Sequence, residues 1–271
     1  MDFETIILRK ERHIGQITLN RPDKRNAISR KMMEELPLAI DDVAQDDEVR
    51  VLILTGEGKA FCAGADTDLM PGGAEEKELG MPNAEELRRS FAFRGARKIM
   101  LGLQKLEKPT IAMINGICVG AGFDLALACD MRIGCEDARF MCGFVKIALF
   151  PGFGATWLYP RSMGVGKALE LLFTGDVVTA EEAARIGILN KKVESREELS
   201  AATMAMAEKI AAGPPIAIRL MKAQVYKGLG TNLESALEDG AMCESITMLT
   251  QDHREGIDAL RNKRQPLFTG K

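Results

Sequence analysis

Histidine is almost absent from this sequence, with only His13 and His253 among its 271 residues. Both lie in polar stretches, far along the chain from the glycine-rich segments described below. A catalytic triad of the usual kind needs a histidine beside its nucleophile. Histidine-based nucleophilic catalysis is therefore not among the functions that we expect.

Three other signals are missing, and each absence narrows the class of protein. The six cysteines form no C-x-x-C pair, so we predict reduced, buried thiols, no metal site and a cytoplasmic protein. A net charge of -3 lacks the basic excess of nucleic-acid-binding proteins. No apolar run is long enough to span a membrane, and the acidic start 1–4 is not typical of a signal peptide. We expect neither nucleic acid nor a membrane as a partner.

Aromatic residues make up only 5% of the sequence, yet several of them crowd the stretch 123–157. They are Phe123, Phe140, Phe144, Phe150, Phe153 and Trp157. Such a cluster fits either the aromatic wall of a ligand pocket or an ordinary hydrophobic core. The sequence leaves both interpretations open.

Apolar periodicity predicts alternating strands and helices before residue 150 and mostly helices after residue 165. The expected strands are 14–20, 49–55, 110–114, 131–133 and 145–149, with helices over 29–45 and 85–106. Later apolar stripes cover 195–212, 215–228 and 232–261. The alternation implies an α/β fold with parallel strands, whose ligands bind outside the carboxyl ends of the strands.

Two short segments rich in Gly and Ala follow apolar, strand-like runs. The first is F-C-A-G-A-D at 61–66, and the second is N-G-I-C-V-G-A-G-F-D at 115–124. Small residues let the backbone approach a ligand closely and leave N–H groups free to point at it. Two such loops that converge could hold one developing oxyanion between two backbone donors, as acyl-group catalysis requires.

The same two segments resemble the oxyanion-hole motifs of the crotonase (enoyl-CoA hydratase/isomerase) superfamily. Four further segments are similar to motifs of that family and occur in the same order: 17–27, 128–133, 150–156 and 173–189. The resemblance implies a crotonase-like ββα spiral core over 1–195 with the CoA and oxyanion site. It also implies a helical region over 196–271 that serves in trimerisation and as a lid. The oligomer expected from it is a homotrimer or homohexamer.

The resemblance also implies roles for individual residues. The backbone N–H groups of Ala65 and Ala121 would bind the oxyanion, and Asp124 would be the acid/base group. Asp124 stands where most hydratases of the family have a glutamate. An acid in the first turn of a helix also fits simple stabilisation by the helix dipole. Beside Phe123, its carboxylate is expected to be desolvated, with a raised pKa.

Two positions depart from the pattern of the two-glutamate hydratases. Phe144 occupies the place of the second acid, and Gly152 replaces the acid that some isomerases of the family carry. Phenylalanine neither accepts nor donates a proton, so the two-carboxylate mechanism is closed to this chain. Candidate auxiliary groups are Asp66, Asp68, Tyr159 and Tyr226.

Coenzyme A is expected to enter as part of the substrate, with no separate cofactor. By resemblance, it would bind along the turn that contains Lys24, Arg25 and Ala27 and along the loop from Ala63 to Asp66. Basic side chains in such a turn suit phosphate groups. Phe144 would line the acyl pocket. Phe268 resembles a tail residue that reaches the nucleotide of a neighbouring subunit, although a frayed basic tail fits equally well.

The sequence therefore predicts an acyl-CoA lyase that hydrates an α,β-unsaturated thioester. Loss of the second acid favours a specialised acyl group, for which a cyclic or dienoyl group is one hypothesis. A double-bond isomerase or a decarboxylase needs only the oxyanion hole and at most one acid. A protein that binds CoA esters without turnover is the third interpretation.

Overall fold

The computed structural model describes residues 2–70, 83, 85 and 95–271. Its strands are β1 (Ile6–Glu11), β2 (Ile14–Leu19), β3 (Val51–Gly56), β4 (Ala60–Cys62), β5 (Thr110–Ile114), β6 (Ile117–Val119), β7 (Met131–Cys135), β8 (Arg139–Met141), β9 (Val177–Thr179) and β10 (Lys191–Val193). Its helices are α1 (Arg30–Gln45), α2 (Arg97–Lys105), α3 (Ala121–Ala128), α4 (Ala155–Met163), α5 (Val165–Thr174), α6 (Ala180–Arg185), α7 (Arg196–Ala211), α8 (Pro215–Gly228), α9 (Leu233–Met248) and α10 (Gln251–Arg261). The first part of the helix expected over 85–106 falls largely outside the described residues.

The larger sheet has six strands in the order β1-β2-β3-β5-β7-β10. Strands β1 and β2 pair antiparallel, and every later neighbour in this sheet pairs parallel. Strand β3 is buried along its whole length, as expected for a central strand covered on both faces. The predicted parallel α/β arrangement is confirmed.

A second, smaller sheet positions the glycine-rich loops. Its order is β4-β6-β8-β9, with β4, β6 and β8 parallel and β9 antiparallel to β8. The sequence pattern did not predict it, because β4 and β6 are three residues long and lie inside the motifs themselves. The loops therefore leave the small sheet rather than the long apolar strands that precede them.

Two hydrophobic clusters form the core. The larger fills the space between the two sheets and helices α1, α2, α3, α4 and α5. The smaller lies on the other face of the large sheet, where Leu199, Ala207 and Ala211 of α7 pack on residues such as Val51 and Ile111. Helix α7, the first element of the helical region that begins at 196, thus shares a core with the large sheet.

The predicted strand at 145–149 is wrong. Residues Gly143–Ile147 form a 3-10 helix, which ends at Ala148 in the left-handed conformation with φ 52°. Val145, Ile147 and Leu149 are exposed, so their apolar character does not reflect a buried strand. The long stripe at 232–261 is two helices, because Thr250 caps a new helix with its hydroxyl. In the described part of the chain, no helix has the length and apolarity to cross a membrane.

Candidate active site

The two glycine-rich loops emerge side by side at one edge of the small sheet. Strands β4 and β6 pair parallel, with Ala60 opposite Ile117 and Cys62 opposite Cys118, so their carboxyl ends face the same way. Close packing at Gly64 joins the loops, because a Cβ there would lie 3.0 Å from the carbonyl oxygen of Val119. The same Cβ would lie 3.8 Å from the backbone nitrogen of Ala121. The predicted convergence of the loops is present.

Both predicted oxyanion donors lie at this junction. Ile28 bridges the first loop by accepting from the N–H of Asp66 and donating to the carbonyl of Gly64, so the bridge does not use the N–H of Ala65. Ala121 is the first residue of α3, and the first bond inside that helix runs from Asp124 N–H to Gly120 O at 3.0 Å. The Ala121 N–H thus belongs to a helix N-terminus, where the macrodipole favours a negative charge.

Asp124 lies in the first turn of α3 and is fully buried. Among the described residues, neither carboxyl oxygen has a hydrogen-bonding partner. Burial raises the pKa of this carboxyl to about 8. The Tyr159 hydroxyl and the Ala155 amide, both on the facing helix α4, lower this pKa, but by less than burial raises it. A buried acid without a partner costs folding free energy. The expected desolvation and raised pKa of Asp124 are confirmed.

Tyr159 faces Asp124 from α4 and is also fully buried. Its hydroxyl has no hydrogen-bonding partner among the described residues. Asp124 and Cys142 are close enough to raise the pKa of Tyr159. Its ring packs on Phe123, with ring centroids 4.7 Å apart. Of the proposed auxiliary groups, Tyr159 is the one that the fold brings to Asp124.

Phe144 closes the site on the side of the second loop. Its ring would lie 3.6 Å from a Cβ at Gly120, which has φ 52° and precedes the donor Ala121. A side chain at Gly120 would therefore be strained as well as crowded. The apolar ring stands directly against the segment that contains Ala121, the predicted oxyanion donor.

The turn that contains Lys24, Arg25 and Ala27 lies beside the first loop, since the N–H of Ala63 donates to Arg25 O at 3.0 Å. Lys24 and Arg25 are exposed, and Ala27 is buried. Positively charged side chains therefore face solvent next to small ones, as a bound nucleotide phosphate would require.

Arg21 and Asn26 hold that turn in place, and the sequence reasoning did not single them out. Arg21 Nη1 donates to Ala27 O and to Asp66 Oδ2, at 2.6 and 2.7 Å. The buried side chain of Asn26 donates to Ala60 O in β4 at 2.8 Å. Both residues lie in the segment 17–27 that resembles a family motif, and this position is the signal that could have identified them.

Asp66 is turned inward by this contact. Burial raises the pKa of its carboxyl, but the hydrogen bonds from Arg21 and from the Asp68 amide outweigh that effect and lower it overall. The side chain of Asp66 thus fixes the loop that carries Ala65. A direct contact of Asp66 with CoA stays a prediction.

Phe268 lies apart from both loops. Its ring packs on Gly256 of α10, and its carbonyl accepts from the Arg50 guanidinium at 3.2 Å. In the described part of the chain, these contacts of Phe268 do not involve the two loops. Within one chain, the fold does not bring it to the candidate site.

The aromatic cluster divides into two parts. Phe123, Phe140 and Phe153 are fully buried in the main core, where the rings of Phe123 and Phe140 lie 5.2 Å apart. Phe150 is 72% exposed, and Trp157 is partly exposed beneath the Arg161 guanidinium. The core interpretation holds for most of the cluster, and Phe144 is the member that reaches the loops.

The geometry defines an α/β protein in which two glycine-rich loops converge beside Asp124, a fully buried acid without a hydrogen-bonding partner among the described residues. A family model described as enoyl-CoA hydratase/isomerase matches residues 9–271. This chain belongs to that family, and its predicted crotonase fold is confirmed.

Curated relatives and solved structures agree with this assignment. The crotonyl-CoA hydratase of Syntrophomonas wolfei is 37% identical and covered over 100% of both chains. The 1,2-epoxyphenylacetyl-CoA isomerase of Escherichia coli is 33% identical over 99% of this chain and 100% of its own. A crystal structure of enoyl-CoA hydratase from Bacillus anthracis has a TM-score of 0.90 at 35% identity, over 99% and 100% of the two chains.

Proposed function

We propose that this enzyme adds water to, or removes it from, an α,β-unsaturated acyl-CoA thioester through an enolate. The observation that carries the proposal is the buried, unpaired carboxyl of Asp124 beside two converging backbone donors. Burying an unpaired carboxyl costs folding free energy, and groups of this kind occur mostly at functional sites. Its relatives named as hydratases support the direction of the proposal.

The chemistry needs one carboxylate and two N–H groups. Ionised Asp124 takes a proton from water while the water oxygen bonds to Cβ and the double-bond electrons move to the thioester oxygen. The N–H groups of Ala65 and Ala121 donate to that oxyanion, aided by the N-terminus of α3. Asp124 then returns the proton to Cα, the carbonyl re-forms, and the carboxylate is regenerated.

Phe144 is the reason to propose a specialised acyl group. It places an apolar ring where the two-glutamate hydratases have an acid, so the pocket offers van der Waals surface instead of a second proton donor. We propose a cyclic or dienoyl chain as the substrate class. Phe144 would pack on that chain beside Gly120.

A double-bond isomerase is the second candidate function, favoured by the single acid. Asp124 would remove a proton at one carbon and return it at another, with the same oxyanion held by the loops. A relative named 1,2-epoxyphenylacetyl-CoA isomerase supports an isomerase as a candidate. Decarboxylation needs only the oxyanion donors and is the remaining variant.

We propose the following for the rest of the site. CoA binds as part of the substrate, along Lys24, Arg25, Ala27 and the loop from Ala63 to Asp66, and no separate cofactor takes part. The enzyme works as a homotrimer or homohexamer in the cytoplasm, with Phe268 reaching the nucleotide in a neighbouring subunit. Exposed apolar side chains on α8 and α9 support assembly: Met221, Val225, Leu233, Leu237, Met242 and Ile246.

The test is mass spectrometry of straight-chain enoyl, cyclic enoyl and cyclic dienoyl CoA esters incubated with the protein in deuterated water. A gain of one water identifies a hydratase and its acyl group. Deuterium exchange without a gain of water identifies an isomerase. We expect Asp124→Asn to lower turnover by about 10²–10⁴-fold, the usual contribution of a general acid/base. Full activity of that variant would contradict the proposal.

A further inference from the structure

The candidate site holds a second group that the one-carboxylate mechanism does not use. In the described part of the chain, very few buried side-chain oxygens lack a hydrogen-bonding partner. Those of Asp124 on α3 and Tyr159 on α4 face each other. Native proteins contain few buried polar groups without a hydrogen-bonding partner, so two such groups side by side need a shared explanation.

Tyr159 is held rigidly where it is. Gly154, with φ 105°, turns the chain into α4, whose first residue Ala155 is buried. The Tyr159 ring is packed on Phe123, the residue that precedes Asp124. Backbone and ring are therefore fixed from both sides, and the hydroxyl is left with rotation about its own C–O bond.

The surroundings keep the hydroxyl protonated. Burial and the nearby Asp124, Cys142 and Cys118 all raise the pKa of Tyr159 well above its ordinary value. Burial likewise raises the pKa of both thiols. The side chains of Tyr159, Cys142 and Cys118 are thus neutral near pH 8. Tyr159 is the strongest hydrogen-bond donor among them.

We propose that Tyr159 is the positioning residue for Asp124: its hydroxyl donates to one carboxyl oxygen and leaves the other oxygen to exchange the proton with the acyl group. A neutral carboxyl has one O–H and one C=O, so a fixed donor at the C=O oxygen assigns the proton to the other oxygen. Without that donor, either oxygen could carry the proton. The inference rests on the proposed function, because it describes how the single acid works.

This arrangement compensates for Phe144. With an apolar ring where a second acid would stand, no second carboxylate orients the first. Tyr159 approaches from α4 instead, as a neutral donor that adds no charge to the buried site. Hydrogen bonds between catalytic groups are often open in the free enzyme and close when substrate binds, which agrees with the open pair seen here.

Fluorine NMR tests the pair without any need for turnover. The chain has only two tyrosines, so incorporation of 3-fluorotyrosine yields two resonances, which Tyr226→Phe assigns. We expect the fluorotyrosine 159 resonance to shift with an inflection at about pH 8, where Asp124 ionises. Asp124→Asn should abolish the inflection and leave the Tyr226 resonance unchanged. A Tyr159 resonance that is indifferent to Asp124→Asn would overturn the inference.

Kinetics provide the second test. If the carboxylate is the base, kcat rises with pH through the pKa that Asp124 has in the substrate complex. Tyr159→Phe removes a hydrogen bond that favours the charged form, so this limb should move up by about one pH unit. We expect a lower kcat below the new pKa, with KM changed less than about twofold, because remote binding contacts are untouched.

Thr203→Val is the matched control, since Thr203 on α7 is another fully buried hydroxyl without a partner. It should leave the pH profile unchanged. The outcomes separate the two proposals. An unshifted limb in Tyr159→Phe, with Asp124→Asn inactive, would refute the role of Tyr159 alone. An active Asp124→Asn would refute the proposed function. Should Tyr159→Phe fold poorly, the fluorine experiment still decides, because it needs no variant at Tyr159.

Discussion

The chain places each of its two tyrosines against an aspartate, and the two pairs differ in every other respect. Asp130 accepts from Tyr226 Oη at 2.8 Å, from Lys222 Nζ at 2.8 Å and from the amide and hydroxyl of Thr110 at 2.7 and 3.0 Å. Asp124 has no hydrogen-bonding partner among the described residues and is more deeply buried. The same residue types therefore build one anchor and one group that we propose to be reactive.

The difference follows from where the partners come from. Asp130 is reached by β5 on one side and by α8 on the other, so it ties the helical region to the large sheet. Asp124 is buried against α4, and no cation in the described part of the chain pairs with it. A satisfied carboxylate stabilises the fold, whereas an unsatisfied one stores free energy for chemistry.

The largest effect is expected from breaking the paired site. Lys222→Met leaves the Asp130 carboxylate without its cation, and the Lys222 side chain is only 8% exposed. We expect a loss of about 3–5 kcal/mol in the free energy of unfolding, as for other buried pairs that lose one partner. Urea denaturation at neutral pH measures it.

An exposed pair of the same types provides the control. Lys227 and Asp239 lie 2.6 Å apart, but Lys227 is 56% exposed. Lys227→Met should cost less than about 1 kcal/mol. Equal losses of unfolding free energy in Lys222→Met and Lys227→Met would show that burial does not make the Asp130 pair more important for stability. The double variant Lys222→Met with Asp130→Asn should recover part of the loss.

Substitution at the unpaired Asp124 should stabilise the protein, whereas substitution at the paired site destabilises it. The folded pKa of Asp124 is raised from 3.8 to about 8, so the folded state keeps a proton that the unfolded state has already lost. That difference destabilises the protein progressively as pH rises from the unfolded pKa to the folded one. Asp124→Asn removes it, and its advantage over wild type should grow by on the order of 3 kcal/mol between about pH 5.5 and pH 9.

Urea denaturation of both proteins across this pH range measures the trend. Asp66→Asn is the contrasting variant, because Arg21 and the Asp68 amide lower the pKa of Asp66 despite its burial. The loss of unfolding free energy in Asp66→Asn should be present above the pKa of an unfolded aspartate. It should decrease as the pH falls through the folded pKa of Asp66. An Asp124→Asn variant with a constant advantage at all pH values would contradict the assignment of the raised pKa.

The sequence predicted four of the six strands of the large sheet and several of the helices, since long apolar runs and helical stripes carry their own signal. It did not predict β1 and β10. Strands β2 and β5 and helix α1 are close to their expected bounds. Failures occurred where apolar residues are exposed, as at 145–149, or where strands are very short, as with β4 and β6. Burial and pairing with distant strands decide such segments, and neither is visible locally.

For the site, motif order predicted which loops converge and that Asp124 is buried. It did not distinguish Tyr159 from Tyr226, Asp66 and Asp68 as the auxiliary group. That distinction depends on α4 packing against α3, which is a property of the tertiary structure. Arg21 and Asn26 were missed for the same reason, because their partners Asp66 and Ala60 are 45 and 34 residues away.

The smallest effect is expected from the second tyrosine. Tyr226→Phe removes one of several donors to Asp130, while Lys222 and Thr110 remain bound to it. Losing one hydrogen bond to a charged group under these conditions should cost about 1–2 kcal/mol in unfolding free energy. The pH dependence of kcat should not change, because Asp124 keeps Tyr159. A shift of that profile in Tyr226→Phe as large as in Tyr159→Phe would mean that the two aspartates are coupled through α3. The division into an anchor and a reactive group would then fail.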